Sequence, residues 1–189
     1  MSVTFSGTVT GVTGGVQQAY ALQHDPLLEG QLSDIRDNTI ATYLNETGGV
    51  IAFGNAVIFN SGGTVDISAK TVSGTALPLA GVNVLTYVDE TALDGASRPG
   101  VKATQAMNVA NEGAVAVYVH GTVSPATAVR VIHTASGTLV AGQFAAASVS
   151  GKTALVANAR YLSSVTGSGL AILELNGPSL ALTADTTTA

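Results

Sequence analysis

The residues closest to a known chemical motif are 146–153, AASVSGKT, which end in the Gly-Lys-Thr of a phosphate-binding loop. That loop also needs a glycine where Ala146 stands and a helix immediately after it. Residues 153–158 suit a strand as well as a helix, and no second carboxylate motif for a magnesium ion accompanies them. We therefore predict a turn between strands here, and no nucleotide site.

Histidines and clustered acids lack the spacing of a metal site. His24, His120 and His133 have no partners at ligand spacing, and the acids within residues 89–94 do not alternate as a cation loop requires. The chain has no cysteine, which excludes disulfides and thiolate sites. The sequence predicts neither a metal nor a cofactor.

Glu174 is the one acid embedded in a strongly apolar strand pattern, directly after LAIL. A lone carboxylate cannot supply the acid and base pair that glycoside hydrolysis uses. We expect Glu174 either to be exposed by strand alternation or to pair with Arg130 or Arg160. Because no catalytic constellation emerges, the prediction is a protein that is not an enzyme.

The composition limits the partners of the chain. Its 189 residues carry 7 basic and 12 acidic side chains, a net charge of −5, and only 10% of residues are charged, against about 25% in a typical soluble domain. Binding to a nucleic acid duplex needs a cationic footprint that this chain lacks. The amino end has no signal-peptide pattern, and no apolar run approaches the ~18 residues of a membrane span. We expect a soluble protein with neither a nucleic acid nor a membrane partner.

The elements that must position these residues fall into three predicted parts. Residues 1–34 are rich in Gly, Thr and Gln and predict an extended N-terminal arm, either mobile or ordered against a neighbouring subunit. Residues 35–178 predict the body, and residues 179–189, mostly small and polar at their end, predict a flexible tail.

The body shows many short β-rich runs separated by turn signals, as at 111–113, which is typical of a sandwich or barrel. We predict an all-β fold, a compact sandwich or barrel of short antiparallel strands, with the possibility of two small β subdomains. Residues 50–59 indicate a strand, a turn and a strand, and residues 82–88 alternate with period two. Residues 89–100 predict an exposed loop that carries Asp89, Glu90, Asp94 and Arg98.

Several sequence segments of this body, in their order and spacing, resemble segments of the structural cement, or capsid decoration, proteins of tailed bacteriophages. The first is GVIAFGNAV at residues 49–57, similar to a family strand entering an "I-x-F-G-x-A-V" turn. The others follow in the carboxy-terminal half: VRVIHTASG at 129–137, GQF at 142–144, ANARYL at 157–162 and GLAILELNGP at 169–178. The likeness covers about half of the chain, and residues 1–30 and 89–100 match nothing in it.

This resemblance implies an all-β protein that binds the outer surface of an assembled capsid and locks neighbouring major capsid protein subunits together, commonly as a homotrimer. It also implies a virion component that is assembled in the host cytoplasm. A cement protein needs a rigid β scaffold, strand edges or arms that add to a neighbour, and no reactive groups, and the sequence is compatible with all three.

Two sets of residues are candidates for the contact surface. Leu27 and Leu28 form an apolar doublet in a polar arm, and Ile35 and Arg36 follow, where an arginine can pair with a carboxylate. We expect these four residues at the capsid or subunit interface. The alternative is a module on the phage surface or tail that recognises a host-surface ligand through the loop at 89–100.

Overall fold

The computed structural model describes residues 27–34, 37–59, 68–75, 78–86, 91–177 and 180–185, and every regular element in them is a β-strand. The predicted all-β fold is confirmed. No helix in this part of the chain is long and apolar enough to cross a membrane. In chain order the strands are β1 (Thr39–Asn45), β2 (Ile51–Ala52), β3 (Ala56–Phe59), β4 (Ser68–Thr71), β5 (Leu79–Asn83), β6 (Thr91–Leu93), β7 (Pro99–Val101), β8 (Ala106–His120), β9 (Arg130–Ile132), β10 (Phe144–Ala145), β11 (Thr153–Val156), β12 (Ala159–Tyr161), β13 (Gly169–Asn176) and β14 (Leu182–Ala184).

Five strands form a closed ring in the amino-terminal half. β1 pairs with β4, β4 with β3, β3 with β5, β5 with β8, and β8 returns to β1. The β1–β4 pairing is parallel and the other four are antiparallel. Closure of this kind leaves no free edge in the ring. The strand, turn and strand predicted for residues 50–59 are confirmed as β2, a turn at Gly54 and β3.

The second half is built on the other end of β8. Its carboxy-terminal residues pair with β13 along one edge, and β13 pairs with β12. Along the opposite edge β8 pairs in parallel with β10, and the sheet continues through β9 and β11 to β14. The sheet is therefore mixed rather than purely antiparallel.

β8 runs unbroken for 15 residues where the sequence predicts two strands and a turn at 111–113. The register with β1 shifts at this point, so the three residues form a bulge inside one strand. Gly113 has a φ of 118°, and a Cβ there would lie 1.8 Å from Asn38 Oδ1. Turn-forming residues thus bend a strand here, because β13 and β1 supply partners on either side of the bulge.

Two apolar clusters correspond to the two halves. The first, which we call the barrel cluster, joins ring strands β3, β5 and β8 to β2 and β7, and consists of Ile51, Phe53, Val57, Ala80, Val101, Met107 and Val109. The second, the main cluster, fills the second half and also includes Ala56, Ile58 and Val82 of the ring strands. The predicted period-two pattern is seen at the start of its range, since Val82 and Val84 belong to the main cluster and Leu85 packs on the barrel cluster.

The stretch predicted as an exposed loop at 89–100 contains a β-hairpin. β6 and β7 pair antiparallel, and β7 also pairs with β2 to make a separate three-stranded sheet. The pairing of β7 with β2 draws the hairpin onto the body, and Gly100 and Val101 are buried as a result. Asp89 and Glu90 lie outside the described residues.

Residues 180–185, which the sequence assigns to a flexible tail, are docked on the body. Leu180 has no exposed surface and belongs to the main cluster, and β14 pairs with β11. The Asp185 carboxylate accepts a 2.6 Å hydrogen bond from the Thr153 hydroxyl and lies 3.3 Å from Arg130 Nε. The segment is held in place because Leu180, the backbone of β14 and Asp185 all have partners that are distant in sequence.

Candidate functional site

Of the predicted interface residues Leu27 and Leu28, the first is half-buried and the second is exposed at the start of a tight turn. The Gln31 N–H donates to the Leu28 carbonyl at 3.0 Å, and Gly30 has a φ of 78° at the third position, as a type II turn requires. The Gln31 side-chain oxygen accepts from the Leu28 N–H at 3.0 Å, which closes the other side. We call residues 28–31 the N-terminal turn.

After this turn the chain lies along β8. The Gly30 N–H donates to the Ala116 carbonyl at 2.8 Å, the Ala116 N–H donates to Gln31, and the Ser33 N–H donates to Ala114. Leu32 packs on the main cluster. Residues 30–33 thus act as an additional short strand on the edge of β8, so this part of the predicted arm, 1–34, is attached to its own body.

Backbone atoms enclose the N-terminal turn at Gly30. A Cβ at Gly30 would lie 2.8 to 2.9 Å from Gly54 N, Asn83 O and Leu85 N. The Leu85 N–H donates to the Gly30 carbonyl at 2.8 Å. Only glycine fits a position that combines this approach with a positive φ, so the place where the chain joins the body is fixed.

The β6–β7 hairpin turn, residues 94–98, is organised by Asp94. Its Oδ1 accepts from the N–H groups of Ala96 and Arg98, both at 2.9 Å. The Ser97 N–H donates to the Asp94 carbonyl, and Ser97 has a φ of 61° where glycine is the usual residue. The i to i+4 spacing of an aspartate and an arginine around Gly95 therefore reflects a closed hairpin turn.

Arg98 connects this hairpin to two other parts of the molecule. Its Nη2 and Nε donate to Asp94 Oδ2 at 2.6 and 3.0 Å, and its Nη1 donates to Asn55 Oδ1 at 3.0 Å. The same Nη1 lies 3.5 Å from Glu29 Oε2. We call Glu29, Asn55, Asp94 and Arg98 the Arg98 hub, which joins the N-terminal turn, the residue before β3 and the hairpin.

The two carboxylates of the hub are held differently. Partial burial raises the pKa of Glu29; attraction to Arg98 opposes this rise without cancelling it, and the Asp94 carboxylate adds to it. Burial also acts to raise the pKa of Asp94, but its backbone N–H donors and Arg98 outweigh burial and hold that pKa below its usual value. The hydrogen bonds of Asp94 therefore outweigh the effect of its burial on its pKa, whereas the contact of Glu29 with Arg98 does not.

Exposed leucines flank the hub in sequence, one in the N-terminal turn and one in the hairpin. Leu28, beside Glu29, is 62% exposed, and Leu93, beside Asp94, is 64% exposed. These are the largest exposed fractions among the large hydrophobic residues that the structure describes. By contrast the side chains of Asp94 and Arg98 are only 13% and 15% exposed, so the predicted loop charges are turned into the molecule.

The structure brings together only some of the residues predicted to form the interface and the loop. Leu28 is joined to Asp94 and Arg98 through Glu29, whereas Ile35 and Arg36, like Asp89 and Glu90, lie outside the described residues. The sequence analysis missed Glu29 and Asn55. Asn55 lies inside the GVIAFGNAV phrase that carries the family resemblance, and this was the one available signal.

The other residues that the sequence analysis considered for chemistry have structural partners in the molecule. Glu174 pairs with Arg160, one of the two partners expected for it, and Arg130 pairs with Asp185. The GKT stretch turns directly into strand β11, whose first residue is Thr153, and not into the helix that a phosphate-binding loop needs, which confirms the predicted turn. His120 is hydrogen-bonded to Gln143 at 2.7 Å and His133 to Thr134 at 2.9 Å.

An acidic cleft of about 400 Å³ lies at the β8 bulge. Its carboxylates come from Asp34, Asp37, Glu112 and Glu174. Glu112 accepts a hydrogen bond from the Thr39 hydroxyl at 2.9 Å, and Glu174 is the partner of Arg160. Among the described residues no group of His, Cys, Asp and Glu has the arrangement of a metal site.

Comparison with known families identifies the chain. A family model described as "Structural cement protein (E217 gp24/Pam3 gp6)" matches residues 16–176. The chain belongs to this family. The predicted resemblance to phage structural cement proteins is thereby confirmed over most of the sequence, including the 89–100 stretch that the resemblance left unmatched.

A solved structure has the fold of this structural cement protein. A chain described as "The capsid of Myoviridae Phage XM1" superposes with a TM-score of 0.60 at 18% sequence identity, covering 84% of this chain and 95% of that chain. At this level of identity the likeness establishes the fold. No curated protein matches the chain.

Proposed function

We propose that this structural cement protein binds the outer surface of a tailed-phage capsid, stabilises contacts between major capsid protein subunits, and has no catalytic role. Membership of the cement family is the observation that carries the proposal. The fold supports it because two apolar clusters and a closed ring of strands make a rigid body, as a clamp between subunits needs. The protein is then a component of the virion, assembled in the host cytoplasm.

The surface we propose for the capsid contact is the N-terminal turn with the hairpin beside it. Leu28 and Leu93 are exposed while their neighbours Glu29 and Asp94 are tied to Arg98. Fully burying one leucine against a partner is worth roughly 1.5–3 kcal/mol, and a backbone already fixed by the hub loses little entropy on binding. Leu27, Ile35 and Arg36 complete the proposed contact as residues on either side of the turn.

Shell binding of surface variants tests this proposal. Leu28→Ser is expected to reduce the amount of protein that co-sediments with emptied shells of the parent phage, without lowering the melting temperature. Leu155→Ser is the matched control, since Leu155 is 36% exposed on β11 and remote in sequence from the turn. Equal occupancy for both variants would exclude the turn as the contact, and a wild-type protein that ignores shells would refute the proposed function.

We also propose a homotrimer as the binding unit, as the family resemblance implies. The low charge of the chain, 10% of residues, favours close packing between neutral polar and apolar surfaces because burying unpaired charge is costly. Light scattering on the free protein and on protein released from shells measures the mass directly. A monomer in both states would contradict the trimer.

The host-ligand alternative has less support. It relies on accessible charges in residues 89–100, and Asp94 and Arg98 are bonded to each other and largely buried. Asp94→Ala would abolish adsorption to host cells under that alternative, and leave adsorption unchanged under the capsid proposal.

A further inference from the structure

The β6–β7 hairpin leaves backbone groups of β6 turned away from the body. The Phe53 N–H donates to the Pro99 carbonyl at 3.0 Å, so the backbone of Pro99, which has no N–H of its own, faces β2. The Asp94 N–H donates to the Arg98 carbonyl at 2.9 Å, so Asp94 faces β7. Because hydrogen-bonded and non-hydrogen-bonded pairs alternate along an antiparallel ladder, the pair of Leu93 and Pro99 is non-hydrogen-bonded. The N–H and C=O of Leu93 therefore point outward from the sheet edge.

This outer edge of β6 is open among the residues that the structure describes. β6 is the last strand of the sheet β2-β7-β6, and Leu93 has no backbone hydrogen bond to another described residue on that side. The opposite edge, at β2, is covered, since the Asn83 side chain donates to the carbonyls of Ile51 and Ala52 at 3.0 and 3.1 Å. An open edge is a template for one further strand.

β12 and β14 also lie at sheet edges, but each is better protected than β6. Tyr161 of β12 has no exposed surface, so no other chain can approach its backbone. β14 is followed at once by Asp185, and a charge at an edge discourages pairing with another strand. β6, Thr91–Leu93, contains neither a charge nor a proline. It is therefore the edge best suited to accept a strand.

The amino-terminal residues have the sequence pattern of a strand that fits this edge. Residues 3–10, VTFSGTVT, alternate apolar residues or glycine with threonine or serine, which is the period of a strand, and they contain no charge and no proline. They lie outside the described residues. The described chain begins at Leu27, and Glu29 lies 3.5 Å from Arg98 of the hairpin. The chain that leads to residues 3–10 thus leaves the body next to the hairpin.

We propose that residues 3–10 of one copy of this chain add to β6 of a second copy, as a fourth strand of its β2-β7-β6 sheet. Residues 11–26 connect this strand to the N-terminal turn and span up to about 55 Å when extended, enough to pass from one molecule to the next. Because the chain leaves each body beside the edge that receives a strand, copies that exchange arms in a ring bring their hairpins together around one axis. The exchange rests on the homotrimer of the proposed function, for which it supplies a backbone contact.

Strand addition leaves the Leu93 side chain available to another partner. Side chains stand perpendicular to a sheet, whereas a strand adds in the plane of the sheet. The capsid contact proposed for Leu28 and Leu93 uses side chains, and the pairing between copies uses the backbone of β6. Both contacts can therefore form on the same hairpin.

Proline at position 93 tests the pairing, because it removes the outward N–H and no group that β7 uses. Proline is tolerated at such positions of an edge strand. In light scattering on the full-length protein, Leu93→Pro is expected to lower the mass from that of the wild-type trimer to that of a monomer. Leu93→Ala is the matched control, since it removes the side chain, keeps the N–H and should remain a trimer. Phe5→Asp, which puts a charge on the apolar face of residues 3–10, should also give a monomer, whereas Tyr20→Asp, in the same arm but outside that segment, should not.

Hydrogen exchange on the wild-type protein measures the same contact directly. The Ala184 amide is the reference, because it points outward from β14: the next residue, Asp185, donates to the Thr153 carbonyl at 3.3 Å. The Leu93 amide is expected to exchange about tenfold or more slowly than the Ala184 amide if a strand covers it. Dilution that dissociates the trimer should remove this protection.

A wild-type trimer whose mass is unchanged by both Leu93→Pro and Phe5→Asp would overturn the exchange of arms and retain the homotrimer. A wild-type monomer, or a Leu93 amide as unprotected as that of Ala184, would also overturn the exchange. Protection of Leu93 that persists in a monomer would assign the added strand to the same chain and overturn the role of a second copy. Co-sedimentation with shells is a separate measurement: a paired trimer that ignores shells refutes the capsid proposal and leaves the exchange in force.

Discussion

At the scale of single residues, Arg98 illustrates how a nearly neutral surface still uses charge. A guanidinium has five donors in a fixed plane, and here they reach an aspartate, an asparagine and a glutamate from three separate parts of the chain. A lysine places one ammonium and cannot reproduce that geometry. The identity of the residue, and not only its charge, should therefore matter.

Arg98→Lys is expected to lower the free energy of unfolding by about 1–3 kcal/mol, because charge-assisted hydrogen bonds in a largely buried hub are lost. Chemical denaturation monitored by circular dichroism measures the change. Arg160→Lys is the control, since the Arg160 side chain is 63% exposed and pairs with one carboxylate, that of Glu174, which a lysine ammonium can also reach; a smaller change is therefore expected there. Equal effects of the two substitutions would show that the geometry of the hub contributes nothing beyond a single ion pair.

Ser97 occupies a backbone conformation that favours glycine, with a φ of 61° at the end of the hairpin turn. Ser97→Gly is expected to raise the stability by up to about 1 kcal/mol, the left-handed penalty less the entropy that glycine adds to the unfolded chain. Ala96→Gly, at a neighbouring exposed position without a positive φ, should be neutral or destabilising. A lower melting temperature for Ser97→Gly would mean that its hydroxyl has a structural role in the turn.

At the scale of elements, residues 180–185 show that a segment predicted as a flexible tail can belong to the core. Leu180→Ala is expected to cost about 2–5 kcal/mol, the usual range for a leucine in a packed interior, because its side chain has no exposed surface. Thr183→Ala, on the exposed face of β14, should change stability by no more than about 0.5 kcal/mol. A small effect of Leu180→Ala on the melting temperature would return these residues to the status of a tail.

The elements also show what the sequence could and could not predict. Apolar runs and glycine turns were sufficient to predict an all-β fold and the strand, turn and strand at 50–59, since these depend on neighbours in sequence. The continuity of β8 through 111–113 was not predictable, because pairing with β1 and β13 overrides local turn preference there. The burial of the charges in residues 94–98 was not predictable either. Their charge suggested exposure, but Arg98 is held by Asn55, which lies 43 positions away in sequence.

At the scale of the whole molecule, β8 makes the two halves one unit. Met107 of β8 lies in the barrel cluster, and Val115, Val117 and Val119 of the same strand lie in the main cluster. Neither half has a complete sheet without this strand. The two subdomains suggested by the sequence should therefore behave as one cooperative domain.

Met107→Ala and Leu173→Ala, one in each cluster, are each expected to lower the free energy of unfolding by about 2–5 kcal/mol. Both should shift a single transition, with the same midpoint for amides of the ring strands and of β13 in denaturant-dependent hydrogen exchange. If Met107→Ala unfolded the ring while β13 stayed protected, the halves would be independent domains.

The unbroken β8 also determines how the molecule responds to force. The strand is about 50 Å long at 3.4 Å per residue, and it reaches from the ring to the end of the second half. Tension applied along its axis would load the hydrogen bonds to β1 and β13 in shear, so that many must break together. Tension across β14 would instead peel three residues from β11 one after another. The protein should thus be mechanically strong along one direction and weak along another, and its orientation on a surface would decide which of these is used.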